Sequence, residues 1–289
     1  MEPESRFIDV DGVLIHVLRW PRPGAPPLLL LHGTGFLADL WRRAVDGLHE
    51  HYDVAAVDVR GHGRSARPDQ GYGLAEMAGD IPGVFDALGW RDAYVAGHSV
   101  GAALAFIVAA RRPELVRRLF AVEPIVPTRF RRTAGTAQGA GGGMADAVRE
   151  RMRRRRAAFP SRAAVAERWR DRPVFAKWDA RVFDDYVQHG FADLDDGSVA
   201  LRCPPAIEVQ VFESSSDFDA TPYLRDVRCP VLIAQAERSD PWVAAMIATA
   251  AALLADVERI TIPGTSHFAP MEAPGLVAEE IRAFDAAAR

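Results

Sequence analysis

The sequence predicts an α/β fold: a doubly wound, mostly parallel sheet carrying an inserted helical cap. Three observations predict it. Short apolar runs, of the kind buried on both faces of a sheet, alternate with helical patterns as β-α-β-α at the start and again at the end of the chain. The alternation stops from Pro127 to Leu224, where only helical patterns and loops are read, so residues 1–126 and 225–289 make the core and 127–224 the cap. Within the first run of strands, Ala93 to Ala110 reads as strand, Gly-rich turn and buried helix, with Gly97-His98-Ser99-Val100-Gly101 in the turn.

Each element follows from local chemistry. Arg6 to Val10 and Val13 to Trp20 predict a hairpin around Asp11-Gly12, a dipeptide that tolerates positive φ. Pro27 to Leu31 is a continuous apolar run, as a central strand requires, and ends in His32-Gly33-Thr34-Gly35-Phe36. A helix is expected from about Leu37 to Glu50, a buried strand from Tyr52 to Asp58, and a helix from about Leu74 to Leu88. After the Ser99 helix comes the strand Val116 to Val122, ending at Glu123-Pro124. The cap segment holds the Gly-rich stretch Gly135 to Gly143, a hinge or a loose loop, then a basic helix around Ala147 to Ala157 and a helix near Arg181 to Gly190. Strands resume at Pro230 to Ala234 and Val257 to Ile262, each followed by a helix.

Composition excludes several function classes. At 289 residues with a net charge of −4, the chain can bury a large core, and its balance does not favour nucleic acid or an acidic membrane surface. The run Arg151-Met-Arg153-Arg-Arg-Arg156 reads as the solvated face of a cap helix, with Val148 and Met152 turned inward. No signal peptide is read in MEPESRFIDV, and no apolar run reaches the roughly 18 residues of a membrane span. Cys203 and Cys229 each precede a proline and lie far apart, which predicts free thiols and a cytoplasmic location.

The chemistry centres on Ser99. A serine in a sharp strand-to-helix turn projects its hydroxyl at a helix N-terminus, where free N–H groups favour negative charge. A hydroxyl needs a base. Of eight histidines, His267 follows the last strand, and in a parallel sheet all strand C-termini face one edge, so His267 can meet Ser99 there. An oxyanion needs two N–H donors. Val100 offers one, and the turn after Leu31 the other, from Thr34 or, less favourably, Gly35. His98 is expected to pack away from the pocket and His62 to be structural; no partner is read for His16, His49, His51 or His189. Phe175, Trp178 and Phe183 in the cap, with Phe36, Trp242 and Phe268 near the strand ends, suit an apolar pocket; Phe36, Trp178 and Phe268 are the expected substrate contacts.

With HGTG at His32, DVRGHGRS from Asp58 to Ser65, GHSVG at Ser99 and GTSHF at His267, the chain resembles the α/β-hydrolase-fold serine hydrolases over nearly its whole length outside the cap. These motifs are specific for the superfamily and weakly specific for substrate. The resemblance implies a Ser-His-acid triad and no cofactor or metal. Serine at the elbow, where dehalogenases and epoxide hydrolases of this fold carry aspartate, implies acyl transfer. The cap looks similar to the helical lids of esterase-like and lipase-like members. One departure concerns the acid. The family's usual Gly-x-x-Asp is here Ala236-Glu237-Arg238-Ser239, with Asp240 one residue late. A minority of members place the acid after the strand that follows the elbow helix, where this chain has Glu123. Glu123 is therefore the expected acid and Asp240 the alternative. The activity implied is hydrolysis of a small-molecule carboxylic ester or lactone with an apolar part. A C–C bond hydrolase or haloperoxidase-like enzyme on the same triad and a non-catalytic ligand receptor are the alternatives. Oligomeric state is not legible.

Overall fold

The computed structural model of the chain describes residues 2–128, 147 and 149–287. The hairpin forms as expected: β1 (Glu4–Val10) and β2 (Val13–Trp20) pair antiparallel across Asp11 and Gly12, whose φ values are 50° and 84°. Seven further elements set the site: β3 (Pro27–Leu31), α1 (Arg42–Val45), β4 (Asp53–Val57), α2 (Leu74–Leu88), β5 (Ala93–His98), α3 (Val100–Arg111) and β6 (Val116–Val122). The helix expected from Leu37 to Glu50 is a correction. The chain makes a 3-10 turn at Ala38–Trp41, the single turn α1, and then further turns. Gly47 interrupts that segment, and a helix interior pays in backbone entropy for glycine.

The segment expected to form a helical cap also departs from the helices-only reading. Between β6 and the return to the sheet lie β7 (Ala158–Phe159), α4 (Arg162–Trp169), α5 (Ala180–His189), β8 (Phe191–Asp193), β9 (Val199–Leu201), α6 (Pro205–Asp217) and α7 (Thr221–Asp226). The three strands form a small antiparallel sheet in the order β7-β9-β8. At two or three residues each they are too short to show a period-2 pattern, which is why the sequence conceals them. The Gly135 to Gly143 stretch and Val148 lie outside the described residues.

The chain then closes with β10 (Val231–Ala236), α8 (Pro241–Leu253), β11 (Val257–Ile262), α9 (Ala269–Glu272) and α10 (Pro274–Ala286). The main sheet runs β1-β2-β4-β3-β5-β6-β10-β11, parallel from β4 onward. Alternate residues of β3 explain its unbroken apolar run. Leu29 and Leu31 join the layer under α2, α3 and α8, whereas Leu28 and Leu30 join the layer under α1 and α10. The order β3-β5-β6-β10-β11 sets five strand ends side by side, so the loops bearing Thr34, Ser99, Glu123, Ser239 and His267 leave one edge in a row. No helix among the described residues is long and apolar enough to cross a membrane.

Candidate active site

Ser99 stands between β5 and α3 with φ 55° and ψ −119°, a conformation that L-residues avoid at a cost of ~1–3 kcal/mol. Its two flanking glycines are sterically required. A Cβ on Gly97 would lie 2.6 Å from the Ala102 amide, and one on Gly101 would lie 2.4 Å from the Leu31 carbonyl oxygen. The turn is tied to the neighbouring strand, because the Ser99 N–H donates to the Val122 carbonyl at 3.0 Å.

The second strained side chain in this row is Glu123, with φ 47°, fully buried at the end of β6. His267 bridges the two. Its Nε2 is 3.0 Å from Ser99 Oγ and its Nδ1 is 3.2 Å from Glu123 Oε2. The buried carboxylate is satisfied on its other side as well. The Ala236 N–H donates to Oε1 at 2.8 Å and the Ser239 hydroxyl to Oε2 at 2.9 Å. Ser239, which on sequence only marked a missing aspartate, thus supports the glutamate. Asp240 does not join the site. It is exposed at the start of α8, and its side chain accepts no hydrogen bond from the helix N-terminus.

The oxyanion turn abuts the serine. A Cβ on Gly33 would stand 3.1 Å from Ser99 Cβ, and the turn closes by a Phe36 N–H bond to the Gly33 carbonyl with Gly35 at φ 80°. His32 braces it. Its Nε2 accepts the Val59 N–H at 3.1 Å while Nδ1 faces the Gly33 carbonyl at 2.8 Å, which fixes one neutral tautomer. Thr34, the residue after Gly33, and Val100, at the first position of α3, are the residues expected to supply the oxyanion donors; each adjoins Ser99 or the turn packed on it.

Two histidines near the site are buried and neutral. Burial first, and then the neighbouring His267 imidazole, holds His98 down at about 3; burial and His32 hold His62 down at about 3. His98 is buried and stacks on Phe36 at 6.3 Å, and it braces the His267 loop, because its Nε2 donates to the His267 carbonyl oxygen at 2.7 Å. An unfolded histidine takes a proton below about pH 6.5, whereas these two resist it down to about 3. Stability should therefore be level above about pH 6.5 and fall by ~1.4 kcal/mol per histidine per pH unit below it. Urea unfolding between pH 7.5 and 4.5 checks this. His62→Gln should remove about one proton from the slope, and an unchanged slope would contradict the assignment.

The expected substrate contacts meet. Ring centroids are 5.6 Å apart for Phe36 and Trp178, 6.0 Å for Phe36 and Phe268, and 6.1 Å for Trp178 and Phe268. Phe175 and Phe183 pack behind Trp178 in the cap core, whereas Trp242 is 42% exposed on α8. Arg151, Arg153, Arg154 and Arg156 of the basic run are exposed, Arg153 and Arg154 pairing at the surface with Glu213 and Glu150, whereas Arg155 turns inward to Glu208. A second Ser-His-Asp array exists that sequence reasoning missed. His16 Nε2 is 2.9 Å from Ser5 Oγ, and His16 Nδ1 is 2.7 Å from Asp58 Oδ2. Ser5, however, lies within β1 on ordinary extended backbone, with no helix N-terminus behind it. Asp58 also accepts the Ala38 and Arg64 amides, so this array organises the loops after β3 and β4.

Comparison with known proteins identifies the fold family. A family model described as alpha/beta hydrolase fold matches residues 26–274. A 2-(acetamidomethylene)succinate hydrolase from Mesorhizobium japonicum is 27% identical over 97% of this chain and 94% of its own length. An N-formylmaleamate deformylase from Pseudomonas putida is 28% identical over 92% of this chain and 90% of its own. The crystal structure of an E-2-(acetamidomethylene)succinate hydrolase superposes with a TM-score of 0.81 at 26% identity, covering 98% of this chain and 99% of that one.

Proposed function

We propose, from the premise that this chain belongs to the alpha/beta hydrolase fold family, that it is a serine hydrolase working by acyl transfer. The observation that carries the reading is the hydrogen-bond chain from Ser99 Oγ through His267 to Glu123. Ser99 Oγ attacks a substrate carbonyl as His267 Nε2 takes its proton. Glu123 keeps the Nδ1–H directed at itself and stabilises the imidazolium. The Thr34 and Val100 amides hold the oxyanion, and His267 then protonates the leaving group. Water resolves the acyl-enzyme by the same steps in reverse roles. In this reading residues 127–224 form the lid that selects substrates, and its Trp178 makes an apolar wall with Phe36 and Phe268 of the core.

The substrate class we favour is a carboxylic ester or lactone with an apolar part against that wall. A second reading, hydrolysis of a small N-acyl carboxylate, is supported by the two relatives that align over nearly their whole length, since their names place acetamido or formyl groups beside acid groups. A panel of p-nitrophenyl esters, lactones, N-acetyl and N-formyl carboxylates and a β-diketone separates these readings. We expect kcat/KM at least tenfold higher for a medium-chain ester than for any N-acyl acid. The reverse ranking would replace the ester reading, cleavage of the diketone alone would mean C–C hydrolysis, and no turnover of any class would leave a receptor.

A further inference from the structure

Outside the triad, a chain of buried and half-buried polar side chains runs from the cap to the oxyanion turn. Glu208 on α6 is buried and ion-paired with Arg155. Arg155 Nη2 donates to the Tyr186 hydroxyl at 2.6 Å, and that hydroxyl faces the Gly35 carbonyl oxygen at 3.4 Å. The approach to Gly35 is close. A Cβ there would lie 3.0 Å from Glu208 Oε1 and 3.4 Å from Arg155 Nη1. The carbonyl side of Gly35 thus meets this chain, one residue from the Thr34 amide.

Desolvating an ion pair is costly, and an apolar pair of similar volume would pack this spot as well or better. Burial does oppose the charge on Glu208, pushing its carboxyl above the usual range against the pull of Arg155. The consequence of the polar chain lies in what it fixes. We infer that Arg155, Glu208 and Tyr186 are positioning residues that set the oxyanion turn, so that the amide geometry at Thr34 depends on the cap being docked. At 3.4 Å the last link is longer than an ordinary hydroxyl bond, as polar contacts can be before charge develops in a site. None of the three side chains touches the reacting atoms; each acts through Gly35.

This inference rests on the acyl-transfer reading above. The test uses the full-length protein and compares wild type with Tyr186→Phe, Glu208→Gln and the double variant, which are near-isosteric changes, with folding checked by circular dichroism. Two quantities are read: kcat and KM on a p-nitrophenyl ester, and the second-order rate at which a fluorophosphonate labels Ser99, since its phosphonyl oxygen occupies the oxyanion position. Displacing rather than deleting an oxyanion donor is expected to cost about tenfold in kcat, below the 10²–10³ of a deletion, with KM within twofold. Labelling should slow by a similar factor. Because Tyr186 and Glu208 act through the same Arg155, the double variant should be no slower than the worse single. Folded single variants with wild-type kcat and labelling rate would overturn the inference alone, as would a rise in KM with kcat unchanged or factors that multiply. A wild type that neither labels nor turns over would overturn the acyl-transfer reading as well.

Discussion

Ser99→Ala is expected to lower kcat on any turned-over ester by roughly 10⁶-fold, leaving a rate ~10³–10⁴-fold above water from the oxyanion amides and binding alone. The size of the loss follows from the position. The hydroxyl stands 3.0 Å from His267 Nε2 at a strained elbow, and the other described serine bonded to a histidine ring, Ser5, has no helix N-terminus behind it. Alanine can occupy the same backbone, although it gains nothing from the strain, so the fold should persist. Steady-state kinetics with an active-site titration measures the loss. Ser5→Ala is the matched control, because Ser5 has a comparable histidine contact but ordinary strand backbone; it should change kcat by less than twofold.

Glu123→Gln is expected to cost on the order of 10⁴ in kcat while the protein remains folded. The amide keeps the shape but not the acceptors. With its oxygen facing the Ala236 N–H, the NH₂ group points a donor at the Ser239 hydroxyl and at His267 Nδ1, where both need an acceptor. The imidazole then favours the tautomer with its proton on Nε2, which offers Ser99 a donor instead of a base. Ser239→Ala removes one of the carboxylate's supporting bonds and should cost about tenfold, a fraction of the full loss. Asp240→Asn should leave kcat within twofold and alter stability only through the charge at the α8 N-terminus, by ~0.3–1 kcal/mol. All three variants on one ester decide the matter; a dead Asp240→Asn beside an active Glu123→Gln would reverse the assignment.

The fold was largely legible because its signals are redundant. The apolar strands covered on both faces and the Gly-flanked Ser99 turn each follow from short-range chemistry. The Ser99 and His267 pairing was legible because parallel strand ends share an edge. Glu123 could be argued from its place at the end of β6, but its positive φ and its bonds to Ala236 and Ser239 depend on β6 and β10 being neighbours, which no local pattern states. The helix expected from Leu37 to Glu50 failed because Leu40, Trp41, Ala44, Val45 and Leu48 are buried by irregular turns as well as by a helix. The Arg155, Glu208 and Tyr186 chain was invisible for a further reason. Its members lie 53 and 31 residues from Arg155, and a solvated basic helix and a buried ion pair look alike in one dimension.

The central claim is a covalent acyl intermediate on Ser99, and the most direct measurement is the mass of the protein quenched during turnover of a p-nitrophenyl ester. Acid quenching within the first turnovers, followed by intact-mass and peptide analysis, should give a single added acyl group on the peptide spanning β5 and α3, appearing with a stoichiometric burst of p-nitrophenol. Turnover with no adduct, or with the acyl group on another residue such as Ser5, would contradict the account.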